Sequence, residues 1–176
     1  MVKTKEKIIS KSGGKTGEFE HIYQQHIRQV YGYLFSILGN VQDAEDICGQ
    51  TFLAVYERLH TFRGNSSIKS WILRIARNKA MDHFRKRKRI VTGELPEMPE
   101  NHDPLNGVIQ SEQAQLLAGL MKEMPENEVE LLRLRFLAQM TFAEMAEFLG
   151  RNEDAVKKSV YRLVERLKKQ VEVSHE

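Results

Sequence analysis

The chain has 176 residues, 41% of them apolar and 29% charged, a balance that excludes a fibre, a membrane bundle or a wholly disordered polymer. Its single cysteine, Cys48, excludes an intramolecular disulfide, and no apolar run is long enough for a membrane span, so a soluble protein of the reducing cytoplasm without membrane insertion is expected. The net charge of +3 is modest, but its distribution is uneven: Lys and Arg gather at the N-terminus, in 61–89 and near the C-terminus, whereas 91–107 holds four acidic residues and no Lys or Arg. Such segregation points to a protein that touches a polyanion at two places, with something else between them.

Residues 1–17 are rich in Lys, Ser and Gly and predict a disordered basic tail. The tripeptide Gly14-Lys15-Thr16 is not a phosphate loop, because Ile9 stands where that loop needs a glycine. From Phe19 the apolar residues Ile22, Tyr23, Ile27, Val30, Tyr31, Leu34, Phe35 and Leu38 predict an amphipathic helix stopped by Gly39-Asn40. Asp43 is expected to cap the next helix, which buries Ile47, Phe52, Val55, Tyr56 and Leu59 and carries Glu45 and Asp46 in its first turn.

Residues 61–89 then carry ten Lys or Arg against one acid, Asp82. At 100° per residue Ile72, Leu73, Ala76, Ala80 and Phe84 share the inward side of a helix, while Trp71, Arg74, Asn78, Met81 and Arg85 line the other. A stacking ring, an amide for a base edge and guanidinium groups for phosphates are what single-stranded DNA binding requires. The bland alternative is a solvated basic face with Trp71 folded back into the core.

Three of the four prolines fall in 91–107, which predicts an extended acidic linker. Beyond it Leu116, Leu117, Leu120, Met121 and Met124 form one apolar face, and Pro125 starts a helix expected to bury Val129, Leu132 and Phe136. Thr141 and Glu144 have capping-box spacing; Phe142, Met145, Ala146 and Leu149 make a buried stripe; Gly150 suits a left-handed turn; Asn152 caps a last helix with Val156, Val160, Leu163, Val164 and Leu167 inward. This is a helix-turn-helix with Lys157, Lys158, Tyr161 and Arg162 on its exposed side, where a recognition helix meets the major groove; a plain charged helical hairpin is the alternative.

These two blocks, 43–89 and 124–167, closely resemble the extracytoplasmic-function sigma factors of bacterial RNA polymerase. The resemblance implies an all-α chain of two small helical domains joined by a flexible acidic linker: sigma region 2 at 18–90, the linker at 91–107, and sigma region 4 at 108–170 with its helix-turn-helix at about 141–162. It implies that Asp43, Asp46, Ile47, Gln50, Thr51 and Phe52 bind core polymerase. It further implies that Arg63, Asn65, Ser66, Ser67, Lys69, Trp71, Arg74, Asn78 and Arg85 bind and open minus-10 DNA, and that Thr141, Asn152, Lys157, Lys158, Tyr161 and Arg162 bind the minus-35 element. The implied partners are the clamp of the beta-prime subunit, the flap of the beta subunit, promoter DNA and an anti-sigma factor. Cys48-Gly49 and Gln50 depart from the family's usual residues in the polymerase-binding segment. So do Glu153, Asp154 and Ser159 in the recognition helix, where the acids should repel phosphates or accept from cytosine.

The six histidines and Cys48 show no ligand spacing, and no nucleophile lies with a base in a catalytic pattern, so no enzyme activity, metal, cofactor or small-molecule substrate is expected. A self-sufficient helix-turn-helix regulator is the alternative function; it leaves the aromatic and basic stripe on 71–85 without a purpose.

Overall fold

A computed structural model describes residues 15–91 and 124–173, with side chains from 17–87 and 124–172. The tail before Lys15, the linker beyond Val91 and the apolar face of Leu116, Leu117, Leu120 and Met121 lie outside the described residues. Among the described residues every regular element is helical, which fits the all-α expectation.

Helix α1, Lys15–Leu38, starts within the segment expected to be a disordered tail and buries Ile22, Val30, Tyr33, Leu34 and Leu38. It stops where Gly39 turns left-handed at φ +69°. Helix α2, Val41–Arg58, is capped by Asn40 rather than Asp43: Asn40 is extended, and its side-chain oxygen accepts from the Asp43 amide at 3.0 Å. A cap residue must precede the first helical turn, and Asp43 already lies within it. Its carboxylate faces helix α3, Ile68–Val91, 3.5 Å from His83 Nε2 and 3.6 Å from an Arg87 nitrogen. Tyr56, expected inside, is 47% exposed and meets Phe19 edge-on at 5.1 Å. In α3 the inward line of Ile72, Leu73, Ala76 and Ala80 is buried as expected, but Phe84 stays 39% exposed.

The second unit begins with α4, Glu126–Leu132, which follows Pro125 and runs into one π turn at Arg133–Leu137. The wider turn adds a residue to the repeat and shifts the helical register. Phe136 is therefore 56% exposed, although an unbroken 3.6-residue period puts it inside. Helix α5, Phe142–Leu149, has the full capping box, with the Thr141 hydroxyl accepting from the Glu144 amide at 3.2 Å and a Glu144 oxygen from the Thr141 amide at 2.8 Å. Gly150 closes it at φ +63°, and Asn152 caps α6, Glu153–Val173, by accepting from the Asp154 amide at 2.9 Å.

Periodicity leaves the placement of the two units open; in the structure they are docked. One continuous buried cluster runs from Val30, Tyr33 and Leu34 of α1 through Ile72 and Leu73 of α3 to Leu134, Met140 and Met145 of the second unit. At its centre the Tyr33 hydroxyl donates to Glu130 Oε1 at 2.8 Å, and Arg133 Nη2 donates to the Ser36 carbonyl at 3.1 Å.

Replacing Thr141 by Ala removes one half of the capping box and should lower the unfolding free energy by about 1 kcal/mol in urea titration. Thr141→Ser keeps the accepting oxygen and should lie within a few tenths of the parent; equal losses for both variants would show that the cap contributes nothing.

Candidate nucleic-acid interface

Three surfaces carry the residues singled out in the sequence. The first is the loop before α3 and the outer stripe of that helix. Gly64, at φ +70°, turns the loop and leaves Arg63 and Asn65 exposed. Ser67 has a local structural task, accepting from the Ser70 amide at 3.1 Å at the start of α3, and Ser66 is half-buried beside it. Trp71 is half-buried with its ring 5.3 Å from Phe62, so it is partly folded onto the core while Asn78, Met81 and Arg85 stand exposed along the same stripe. Arg85 shares Asp82 at 3.0 Å, an exposed pair worth well under about 1 kcal/mol and readily exchanged for a phosphate.

The cations at the start of α3 face the second unit. Lys69 Nζ donates to the Gln139 carbonyl at 2.9 Å and lies 3.6 Å from Glu144 Oε2. Arg74 Nη2 donates to the Glu147 carbonyl at 3.1 Å and to its carboxylate at 3.0 Å. Arg77 Nε lies 3.8 Å from Glu130, with the guanidinium 5.8 Å from the centre of the Phe148 ring. Carboxylates of α4 and α5 thus occupy the cations of α3 that the sequence singled out, Lys69 and Arg74, together with Arg77. Gln139 presents its carbonyl from a left-handed conformation, φ +52°, unusual for a residue with a side chain. Burial pushes the Glu144 carboxyl up, but hydrogen bonds from the Thr141 amide and the Ser67 hydroxyl, with Lys69 nearby, outweigh it and hold the group below the ordinary range.

The buried part of this contact was not legible in the sequence. Tyr33, Glu130 and Arg133 join there; burial and then the Glu130 charge hold the Tyr33 phenol far above its usual range, so it stays protonated and donates to Glu130. Arg133 also pairs with Glu126 and lies 3.8 Å from Glu130 Oε2. The one available signal was a charged residue, Glu130, between Val129 and Leu131 on a helix whose neighbours turn inward.

The second surface is on α2. Ile47, Thr51 and Phe52 are buried, the Thr51 hydroxyl donating to the Ile47 carbonyl at 2.7 Å, so these three shape the helix from inside. Asp46 and Gln50 are exposed, as is Leu53 at 59%, which the inward periodicity passed over because it sits off the core stripe. A Cβ on Gly49 would meet nothing within 4 Å, so no contact demands glycine there. Burial raises the Cys48 thiol to about 11, leaving it protonated and unreactive.

The third surface is the outer side of α6, where Lys157, Lys158 and Arg162 are exposed and Tyr161, 57% exposed, leans on Phe142 at 5.7 Å. Thr141 spends its side-chain oxygen on the cap of α5 and Asn152 on the cap of α6, which makes them positioning residues for the two helices. Arg151 reaches along its flank to the Ser159 hydroxyl at 3.1 Å. No group of three His, Cys, Asp or Glu able to hold a metal, and no helix long and apolar enough to cross a membrane, is found among the described residues.

Residues 22–90 match the family described as Sigma-70 region 2, and residues 114–167 that described as Sigma-70, region 4. The chain is 30% identical over 151 residues to the ECF RNA polymerase sigma factor SigM of Bacillus subtilis, covering 85% of this chain and 92% of that one. It is 32% identical over 159 residues to the ECF RNA polymerase sigma factor BldN of Streptomyces coelicolor, covering 88% of this chain and 60% of the length of BldN. The solved structure of the sigma factor RpoE in complex with the anti-sigma factor NepR, from Bartonella quintana, superposes with a TM-score of 0.64 at 20% identity, over 89% of this chain and 98% of that one.

Removing one partner of a buried ionic network leaves the others uncompensated, so Glu130→Ala should cost about 3 kcal/mol in urea titration and expand the chain in small-angle scattering. Arg74→Ala removes only exposed contacts, the Glu147 ion pair and a hydrogen bond to its carbonyl, and should cost less than about 1 kcal/mol, with the ionic part of the difference shrinking in high salt. Similar losses for the two variants would contradict the ranking.

Proposed function

The chain belongs to the extracytoplasmic-function sigma factors of RNA polymerase, and from that premise we propose that it is a dissociable promoter-specificity subunit that opens DNA at the minus-10 element. The observation that carries this reading is the pairing, in one chain, of a capped helix-turn-helix with an exposed basic α6 and a separate α3 bearing Asn78, Arg85, Arg74, Lys69 and a half-exposed Trp71. A duplex reader needs only the first; strand separation needs the second.

In this reading α2 offers Asp46, Gln50 and Leu53 to the clamp of the beta-prime subunit, with Asp43, Ile47, Thr51 and Phe52 holding the helix in shape. The second unit engages the flap of the beta subunit, and α6 lies in the major groove with Lys157, Lys158, Tyr161 and Arg162 toward the minus-35 element, oriented by the Thr141 and Asn152 caps. Glu153 and Asp154, exposed in its first turn, favour a base edge that donates, such as the cytosine amino group, over a phosphate. Arg63 and Asn65 on the loop, with Ser66 and Ser67 fixing its end, receive a base turned out of the stack. Extrusion costs a few kcal/mol, which stacking on Trp71, the Asn78 amide and phosphate contacts from Lys69, Arg74 and Arg85 offset.

The chain contributes specificity and strand-separation energy; nucleotide addition belongs to the polymerase. An anti-sigma factor that holds the two units together is the proposed inhibitor, and the cytoplasm, where polymerase works, is the proposed location.

Run-off transcription with core polymerase on upstream sequences should give discrete transcripts only when this chain is added. On such a promoter Asn78→Ala should reduce permanganate-detected opening roughly tenfold, the size of one lost side chain to base contact of about 1–3 kcal/mol, while leaving binding of the closed duplex nearly unchanged. Absence of transcripts, with tight binding of a palindromic duplex by the protein alone, would assign it instead to self-sufficient regulators.

A further inference from the structure

His26 of α1 is buried, and neither of its ring nitrogens has a hydrogen-bond partner. The side-chain oxygen of Gln29, one turn on, is likewise buried and unsatisfied. At 100° per residue His26, Gln29, Tyr33 and Ser36 fall within an arc of about 80°, so they share one stripe of α1. The far half of that stripe is the docking surface itself, where Tyr33 meets Glu130 and the Ser36 carbonyl meets Arg133. The near half lies within electrostatic reach of Lys69 on α3 and Glu144 on α5, the pair that closes the second unit over the start of α3. An imidazole left without a partner at a contact between two units is tolerated only while it is neutral.

We propose that the docked chain is released by acid: protonation of His26, where α1 meets the second unit, drives the units apart and frees the Lys69, Arg74 and Arg77 cations. The importance of those cations rests on the DNA-opening role proposed above; the release itself does not.

The charges around His26 support the direction. Burial is the largest influence and lowers its affinity for a proton; Lys69 and His21 lower it further, and Glu144 opposes them. The docked form therefore binds the proton less well than an undocked form with an ordinary imidazole of about 6.5. A group whose proton affinity is depressed by docking stabilises the docked form above the undocked value, and that stability is lost as pH falls below about 6.5 toward the lower docked value. Glu144, the carboxylate facing His26 from α5, is held below the ordinary carboxylate range by the Thr141 amide, the Ser67 hydroxyl and Lys69, so it does not supply the proton uptake.

The test follows the distance between the units in the full chain, without polymerase or DNA, so its outcome is separate from that of the transcription experiment. Dyes are placed on cysteines replacing Glu57 of α2 and Glu172 of α6, both exposed, in a Cys48→Ala background. Salt or urea is set where the parent is half open at pH 7.5. On going to pH 5.5 the ratio of open to docked chain should rise, by at most about tenfold for a single imidazole. His26→Gln and the apolar His26→Leu should both abolish the rise, whereas His21→Gln and His83→Gln should keep it. A parent ratio that does not change with pH, a parent that never opens short of unfolding, or a rise that persists in both His26 variants would overturn the proposal.

Discussion

A carboxylate taken out of water determines how this molecule is put together. Glu130 is buried on α4, and an ionised carboxylate there is tolerated only because Tyr33 donates to it and Arg77 and Arg133 lie within 4 Å. Those partners come from both units: Tyr33 from α1, Arg77 from α3 and Arg133 from the turn that follows Glu130 itself. Satisfying Glu130 therefore requires the units to be together. Arg133 adds a second tie by donating to the Ser36 carbonyl, where it also meets a backbone group of α1.

Around this buried centre the contacts weaken outward, and the gradient bears on function. The Arg74–Glu147 pair is exposed, and Lys69–Glu144 is only partly covered; such pairs each contribute under about 1 kcal/mol and are screened by salt. They are of the strength that a row of phosphates can displace. The buried network is not, so undocking needs a competitor with comparable binding energy, which an extended surface such as polymerase can supply. Docking also treats the two proposed DNA surfaces unequally: the outer side of α6 stays exposed while the beginning of α3 is covered. On the proposed function, docking leaves the duplex-reading side accessible and obstructs strand capture, an order that suits a subunit which should open DNA only when assembled.

Local signals in the sequence were read well where one short rule governs. The capping box at Thr141, the left-handed Gly150 and the Asn152 cap all depend on residues within four positions of one another, and all three are present. The stripe of α3 was likewise legible, because a solvent-facing line of Asn78, Met81 and Arg85 has no inward alternative. Failures arose where a local pattern met something beyond it. Phe136 is turned out by a π turn that a fixed 3.6-residue period does not anticipate, and Tyr56 is drawn to Phe19 of another helix. Asp43 looked like a cap and is instead held by His83 and Arg87, forty residues or more away along the chain. The docking network was invisible for the same reason, since Tyr33 and Glu130 are 97 residues apart and neither is unusual beside its own neighbours. Within the candidate polymerase surface, residue type drew attention to Ile47, Thr51 and Phe52, but burial leaves Asp46, Gln50 and Leu53 as the groups a partner can touch.

The central claim is that one chain exists in a docked form that covers the start of α3 and in a separated form that works. The most direct measurement is the distance between labels on α2 and α6, taken on the full chain alone and again after addition of core polymerase and promoter DNA. The account predicts a single short distance for the free chain, replaced by a longer one on assembly. A distance that stays short in a complex producing transcripts would contradict it, because Lys69, Arg74 and Arg77 would then support promoter opening while still held by the second unit.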